Sequence, residues 1–262
     1  DDEKYLVRLI GSNQVVLFLG SGFTSEALNR MGEPFPLGRD LSIKLWDFLG
    51  YRSDYDETKL PEMYQAFLSS PIKLDRKKEF LENTLLAGTV EDVYLPLTCP
   101  FWYKIYTTNI DDILSITFKR ARKRINEIKF PEDEYCERDQ SLDSTLVVYL
   151  HGKLPSDPMN VIFSSQQYAV AQLRHQPLYS QFVYDYSIKP TIFLGTDLTE
   201  PLFERYIEER EGKFGYRELR PRSFIIVPSL SPVKIDNLRS NFNVHFVQGT
   251  TKDFLDWTKQ IL

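Results

Sequence analysis

The chain is poor in cysteine and histidine. Its two cysteines, Cys99 and Cys136, belong to no CxxC pair, so a zinc ribbon fails on ligand count. The same scarcity argues against a disulfide framework and fits a reducing cytoplasm. No run of 18 apolar residues exists, so no membrane-spanning helix is expected, and no secretory signal is visible. Positive charge is in deficit: the formal net charge is −5, which argues against a general nucleic-acid binder. One run opposes that balance, Lys119-Arg120-Ala121-Arg122-Lys123-Arg124. It reads as a solvated helix face and the cationic end of a helix, with a phosphate-contacting patch as the competing reading. The chain begins Asp1-Asp2-Glu3 rather than with Met, and it is expected to form part of a larger protein.

What is present fits an ordinary globular chain. With 262 residues, 42% hydrophobic and 26% charged, it can bury the core of one large α/β domain or of a domain with a lobe. Short β-branched and aromatic runs at 15–19, 104–107, 145–150, 190–194, 223–227 and 244–247 read as buried strands. Helical patterns lie between them at 39–49, from the turn after 107 to about Arg124, at 164–173, 178–186, 202–209 and 252–261. Val161-Ile162-Phe163 is a further short apolar run, and 128–130 a short candidate strand. Residues 60–97 are helical and strand-poor, and are expected to form a small helical lobe inserted into the domain. Alternation of strand and helix predicts an α/β, doubly wound parallel Rossmann-like sheet. The whole of 1–262 is expected to be one domain carrying that insertion.

Short polar loops close several strands on the carboxyl side, where open α/β sheets bind ligands. The first is Gly20-Ser21-Gly22-Phe23-Thr24. Its glycines would let backbone N–H groups approach a diphosphate, but it lacks the third glycine of GxGxxG. A tight strand-to-helix turn explains it as well. The second loop is Thr107-Thr108-Asn109-Ile110-Asp111, where Asn109 and Asp111 can bind polar ligand groups or cap a helix. The third is His151-Gly152, a proton-transfer candidate or a satisfied core histidine. The fourth is Gly195-Thr196-Asp197-Leu198, again a ligand loop or a capped turn. Gly249 and Thr250, after the last strand, form a fifth place where a ribose or adenine could rest.

The four loops, in this chain order, resemble those of the sirtuin family. Sirtuins carry Gly-Ala-Gly-x-Ser, Thr-Gln-Asn-x-Asp, His-Gly and Gly-Thr-Ser-Leu, and the resemblance spans roughly residues 15 to 260. Ser21, Thr24, Thr108 and Asp197 depart from those patterns, and the family's four-cysteine zinc module is missing. The departures resemble the NAD-hydrolysing sirtuin-like domains of prokaryotic antiviral defence systems. The resemblance implies NAD⁺ as substrate, with no metal, and cleavage of its nicotinamide–ribose bond. It implies that Asn109 and His151 are catalytic, with Asn109 orienting water or ribose and His151 acting as general base. Gly20, Ser21, Gly22 and Thr24 would hold the diphosphate, and Phe23 and Thr108 would also contact the cofactor. Asp111 would hold the carboxamide, and Gly195, Thr196 and Asp197 the adenosine half. The breaker-rich segment Met31 to Gly38, with Phe35 between two prolines, is expected to cover the bound dinucleotide. Homo-oligomerisation or a partner defence protein is expected to control activity. An NAD-dependent deacylase, a non-catalytic NAD sensor and another Rossmann enzyme are the competing classes.

Overall fold

The computed structural model describes residues 2–130, 143–173, 176–199, 202, 205 and 220–261. Helix α1 (Asp2–Gly11) precedes β1 (Val16–Leu19), and a 3-10 turn over Ser21–Glu26 leads to β2 (Leu28–Asn29). Helices α2 (Gly38–Leu49), α3 (Leu60–Ser69) and α4 (Leu74–Leu85) follow, then β3 (Ala87–Thr89) and a 3-10 turn over Asp92–Thr98. Next come β4 (Lys104–Thr107), α5 (Ile113–Arg120), β5 (Arg124–Ile128) and β6 (Ser144–Tyr149). The chain continues through α6 (Ser165–Leu173), α7 (Pro177–Ile188), β7 (Thr191–Leu194) and β8 (Ser223–Val227). It closes with α8 (Pro232–Phe242), β9 (Val244–Gln248) and α9 (Thr251–Ile261).

Seven parallel strands form one sheet in the order β5-β6-β4-β1-β7-β8-β9. Strands β1, β4, β7 and β8 are buried along their whole length. Both faces are therefore covered, as continuous apolar runs of parallel strands require. Side chains alternate between two cores: Leu17 and Leu19 face one layer, Val16 and Phe18 the other. This is the doubly wound α/β sheet that strand–helix alternation predicts.

A third core belongs to the helical lobe. Leu41, Leu45 and Trp46 of α2 pack with Tyr64 and Phe67 of α3 and Leu81 of α4. The lobe thus begins at α2, earlier than residue 60. It ends near Leu86, because Val90, Tyr94 and Leu97 join the main core instead. A small second sheet, β2 against β3, ties the two regions together.

Several boundaries differ from the sequence reading. Helix α1 was not expected. Helix α5 stops at Arg120, not near Arg124, because Arg122 takes a left-handed φ of 57°. The N–H of Arg122 donates to Lys119 O and that of Lys123 to Phe118 O, the paired bonds of a Schellman closure. Glycine usually marks such a stop, so an arginine hides it. The strand expected at 128–130 runs instead over Arg124–Ile128, pairing with β6. Residues 161–163 form no strand; Ile162 N–H donates to His151 O at 2.9 Å and then the chain enters α6. Of the helix expected at 202–209 only Leu202 and Arg205 are described, both helical, and the acidic stretch 131–142 lies outside the described residues.

Candidate functional site

Strand register places the four loops on one line. Leu19 pairs with Thr107 and with Leu194, and Thr107 pairs with Tyr149. The loops opening at Gly20, Thr108, Leu150 and Gly195 therefore leave the sheet at the same height, on four adjacent strands. Asn109 and His151 each lie two residues past a register pair, on strands separated by about 4.8 Å. β1 is where the topology reverses, with β4 on one side and β7 on the other. That is the switch point at which such sheets bind ligands.

Hydrogen bonds stitch the loops together. Leu154 N–H donates to Ile110 O at 2.7 Å, joining the third loop to the second. Asn109 Nδ2 donates to Gly20 O at 2.9 Å, joining the second to the first. Gly22 N–H donates to Gly195 O at 2.8 Å, joining the first to the fourth. Thr251 Oγ1 donates to Gly22 O at 2.9 Å and fastens α9 to the same turn.

The glycines of the first and fourth loops serve each other. A Cβ on Gly20 would lie 2.5 Å from Thr196 Cβ, and one on Gly22 3.0 Å from Gly195 Cα. Gly195 has φ +67°, and its Cβ would lie 2.3 Å from Phe23 N. Loop-to-loop packing at the switch point demands these glycines before any ligand is considered.

Two aromatic candidates are core residues. Phe23 packs edge-on against buried Tyr94, with ring centroids 5.1 Å apart. The Tyr94 hydroxyl donates to Phe23 O at 2.9 Å and accepts from Glu26 N–H at 3.2 Å, which pins the 3-10 turn. Only the backbone of Phe23 is left for a ligand. Phe35 is buried in the main core. Its segment is held by Asn29 Oδ1, which accepts from Met31 and Glu33 N–H at 3.0 Å. It is a pinned turn, not a cover whose aromatic ring reaches over a ligand.

The remaining candidates divide by exposure. Ser21 and Asp197 are exposed; Thr108, Asn109, Thr196 and Gly249 are half-buried. Asp197 Oδ1 accepts from Thr199 N–H at 3.2 Å, an Asx turn. Thr24 is buried and donates to Ser21 O at 2.9 Å. Thr250 caps α9: its Oγ1 accepts from Asp253 N–H at 3.1 Å while Asp253 Oδ2 accepts from Thr250 N–H at 2.8 Å, a reciprocal capping box.

Asp111 and His151 are both buried. Asp111 Oδ1 accepts from Ile113 N–H at 3.0 Å. Desolvation outweighs that bond and pushes the carboxyl up to about 7, so it can carry a proton at neutral pH. His151 is 3% exposed. Its Nε2 shares a 2.7 Å hydrogen bond with the Tyr179 hydroxyl, and Tyr168 stands edge-on to the ring at 5.7 Å. In this conformation the imidazole is buried, tied to α7 through Tyr179 and flanked by Tyr168 of α6. The sequence reading singles out neither tyrosine; they fall within the helical patterns at 164–173 and 178–186.

A family model described as a SIR2-like domain matches residues 104–247. The chain belongs to the SIR2-like domain family. That match holds the second, third and fourth loops, while the glycine turn at Gly20 to Thr24 lies outside it. SIR2-like domains use NAD, so NAD-related chemistry comes with membership. No curated protein matches the chain. Among the described residues no cluster of three or more His, Cys, Asp or Glu side chains could hold a metal ion, and no helix is long and apolar enough to cross a membrane.

Proposed function

We propose that the chain is an NAD⁺ glycohydrolase. The observation that supports this reading is the common register row from which the four loops leave the sheet, the second loop carrying Asn109 and the third His151. The N-glycosidic bond breaks and nicotinamide leaves with the bonding electron pair, neutralising its ring. The ribose cation is captured by water, which loses a proton, giving nicotinamide, ADP-ribose and H⁺. The transition state resembles an oxocarbenium ion.

Each residue has a task in this reading. Gly20, Ser21, Gly22 and Thr24 lie where a diphosphate would be held, against backbone groups already fixed by Tyr94 and Gly195. The Asp111 carboxyl near half-protonation can both donate to and accept from a carboxamide. Asn109, oriented by Gly20 O, positions water or ribose. His151 takes the proton. Thr196, Asp197 and Gly249 border the adenosine half.

The burial of His151 supports a closed resting state, with opening driven by self-association or by a partner defence protein. In a cell the reading places the chain in the cytoplasm as an antiviral effector that depletes NAD, as in abortive infection. The decisive experiment is incubation with NAD⁺ and identification of products across a protein dilution series. Nicotinamide and ADP-ribose without any acceptor are expected, with specific activity rising on association. Turnover only with acetylated peptide would make it a deacylase. Tight NAD⁺ binding without turnover would make it a sensor.

A further inference from the structure

Lys153 is buried and takes no part in the reaction proposed above. It stands two residues past His151, with Gly152 between them at φ +87°. The turn sends the two side chains to opposite layers of the sheet. His151 meets Tyr168 of α6 and Tyr179 of α7. Lys153 runs toward α5 and the edge strand β5, where its Nζ donates to both Ser115 Oγ and Glu127 Oε1. Ser115 Oγ donates to Glu127 Oε1 at 2.6 Å, and the Tyr149 hydroxyl to the same oxygen at 3.2 Å. Lys153 Nζ also lies 4.8 Å from the centroid of the Tyr149 ring. Burial alone would raise the Glu127 carboxyl, but the bonds from Lys153 and Ser115 outweigh it and hold the group below its ordinary range. Lys153 is therefore paired to an ionised carboxylate.

One oxygen of Glu127 thus gathers several pieces of the fold: α5 through Ser115, β6 through Tyr149 and the third loop through Lys153. Ser115 lies in the first turn of α5, which begins at Ile113 directly after the second loop. The clamp hence ties the loop that carries His151 to the helix that grows out of the loop carrying Asn109. It acts beside two backbone bonds, from Leu154 N–H to Ile110 O at 2.7 Å and from Ile162 N–H to His151 O at 2.9 Å. A buried pair of opposite charges adds little net stability, because desolvation offsets the attraction. What it fixes is geometry, since each arm of the clamp tolerates a narrow range of distance and angle.

We propose that Lys153 is a positioning residue for His151: through Ser115 and Glu127 it holds the third loop at the place from which the imidazole acts. This role rests on the NAD⁺-cleaving reading above. Misplacing a catalytic group by about 1 Å can cost about 10²-fold in rate. A clamp two residues from the imidazole therefore has leverage over turnover without touching substrate.

The test compares the full chain with the double variant Lys153→Met, Glu127→Gln, which removes the clamp without stranding a carboxylate. The first readout needs no turnover. It is deuterium exchange at the imidazole C2–H of His151, mapped by mass spectrometry at a pH above the imidazole's titration range, where the rate reports solvent access. Exchange at His151 should rise about threefold or more through local opening, while His245, on the opposite edge strand β9, should keep its wild-type rate. The second readout is NAD⁺ cleavage, in which kcat should fall about tenfold or more with KM within about twofold. An unchanged His151 rate in the folded double variant, or an unchanged kcat, would overturn the role. An equal rise at His245 would also overturn it, as the mark of a general loosening. If the wild-type chain cleaves no NAD⁺, a rise confined to His151 would support the clamp and overturn the hydrolase reading alone. Ser115→Ala deletes one arm and leaves the ion pair; it should raise His151 exchange in the same direction, and no rise there would count against the role even if the double variant fails to fold.

Discussion

The side-chain amide of Asn109 reaches back across the sheet edge and donates to the carbonyl of Gly20 at 2.9 Å. One hydrogen bond thus fixes the orientation of the proposed water-positioning residue and the path of the glycine turn. The two strands that carry these residues are neighbours in register, so the bond is a consequence of sheet order.

Asn109→Ala should lower nicotinamide release from NAD⁺ by about 10² or more. It should cost only about 1 kcal/mol of stability, since the lost bond is half-buried. His151→Ala should lose as much activity. It also empties a buried site beside Tyr168 and Tyr179, so His151→Gln is the companion variant that keeps the volume. Wild-type turnover in either folded variant would remove the residue from the mechanism.

Asp111 makes stability depend on pH. Its folded value of about 7 lies above the ordinary aspartate value of 3.8, so folding favours the protonated form. The cost of ionising it is absent below about pH 4, grows as pH rises and is complete above about pH 7. A shift of this size corresponds to about 4 kcal/mol as an upper bound. Asp111→Asn keeps an acceptor for Ile113 N–H. It should match wild type near pH 4 and melt distinctly higher at pH 8. Equal melting temperatures at pH 8 would contradict the buried carboxyl.

Lys104 and Asp185 form an ion pair at 2.7 Å with both side chains fully buried. Tyr106 Oη donates to the same carboxylate oxygen at 2.6 Å, and Gln181 Nε2 to the other at 3.1 Å. Lys104→Met should cost about 3–5 kcal/mol by stranding a buried carboxylate. Adding Asp185→Asn should recover part of that loss, because the neutral amide still accepts from Tyr106. Urea unfolding of the single and double variants checks both statements.

Gly195→Ala should do more harm than Gly50→Ala. Both glycines have positive φ, but a Cβ on Gly50 meets nothing within 4 Å, while one on Gly195 meets Phe23 N. The backbone strain of about 1 kcal/mol is common to the two. Gly195→Ala adds overpacking of about 1–3 kcal/mol and should also weaken NAD⁺ binding by parting the first and fourth loops. Equal unfolding free energies would refute the packing account.

Much of the fold was legible because parallel strands buried on both faces must be continuous apolar runs. Val15 to Leu19 and Ser223 to Val227 announce themselves that way. Boundaries set by a non-glycine residue in a left-handed conformation did not, as Arg122 shows. The lobe was legible as helical, but its start at α2 was not, since a helix pattern does not say which core its apolar face joins. Tyr94 carried no local signal either, because its partners Phe23 and Glu26 are about 70 residues away in sequence.

The sequence by itself determined the class of sheet, the four loops and the residues at their tips, because strand runs and turn residues are local patterns. Tertiary structure decided that the loops are neighbours, since register and strand order are set by pairings between distant segments. It also decided that the glycines face one another, that Phe23 and Phe35 turn into the core, and that His151 lies beneath two tyrosines. Those outcomes depend on which surfaces must share a limited interior, and that competition is resolved only when the whole chain packs.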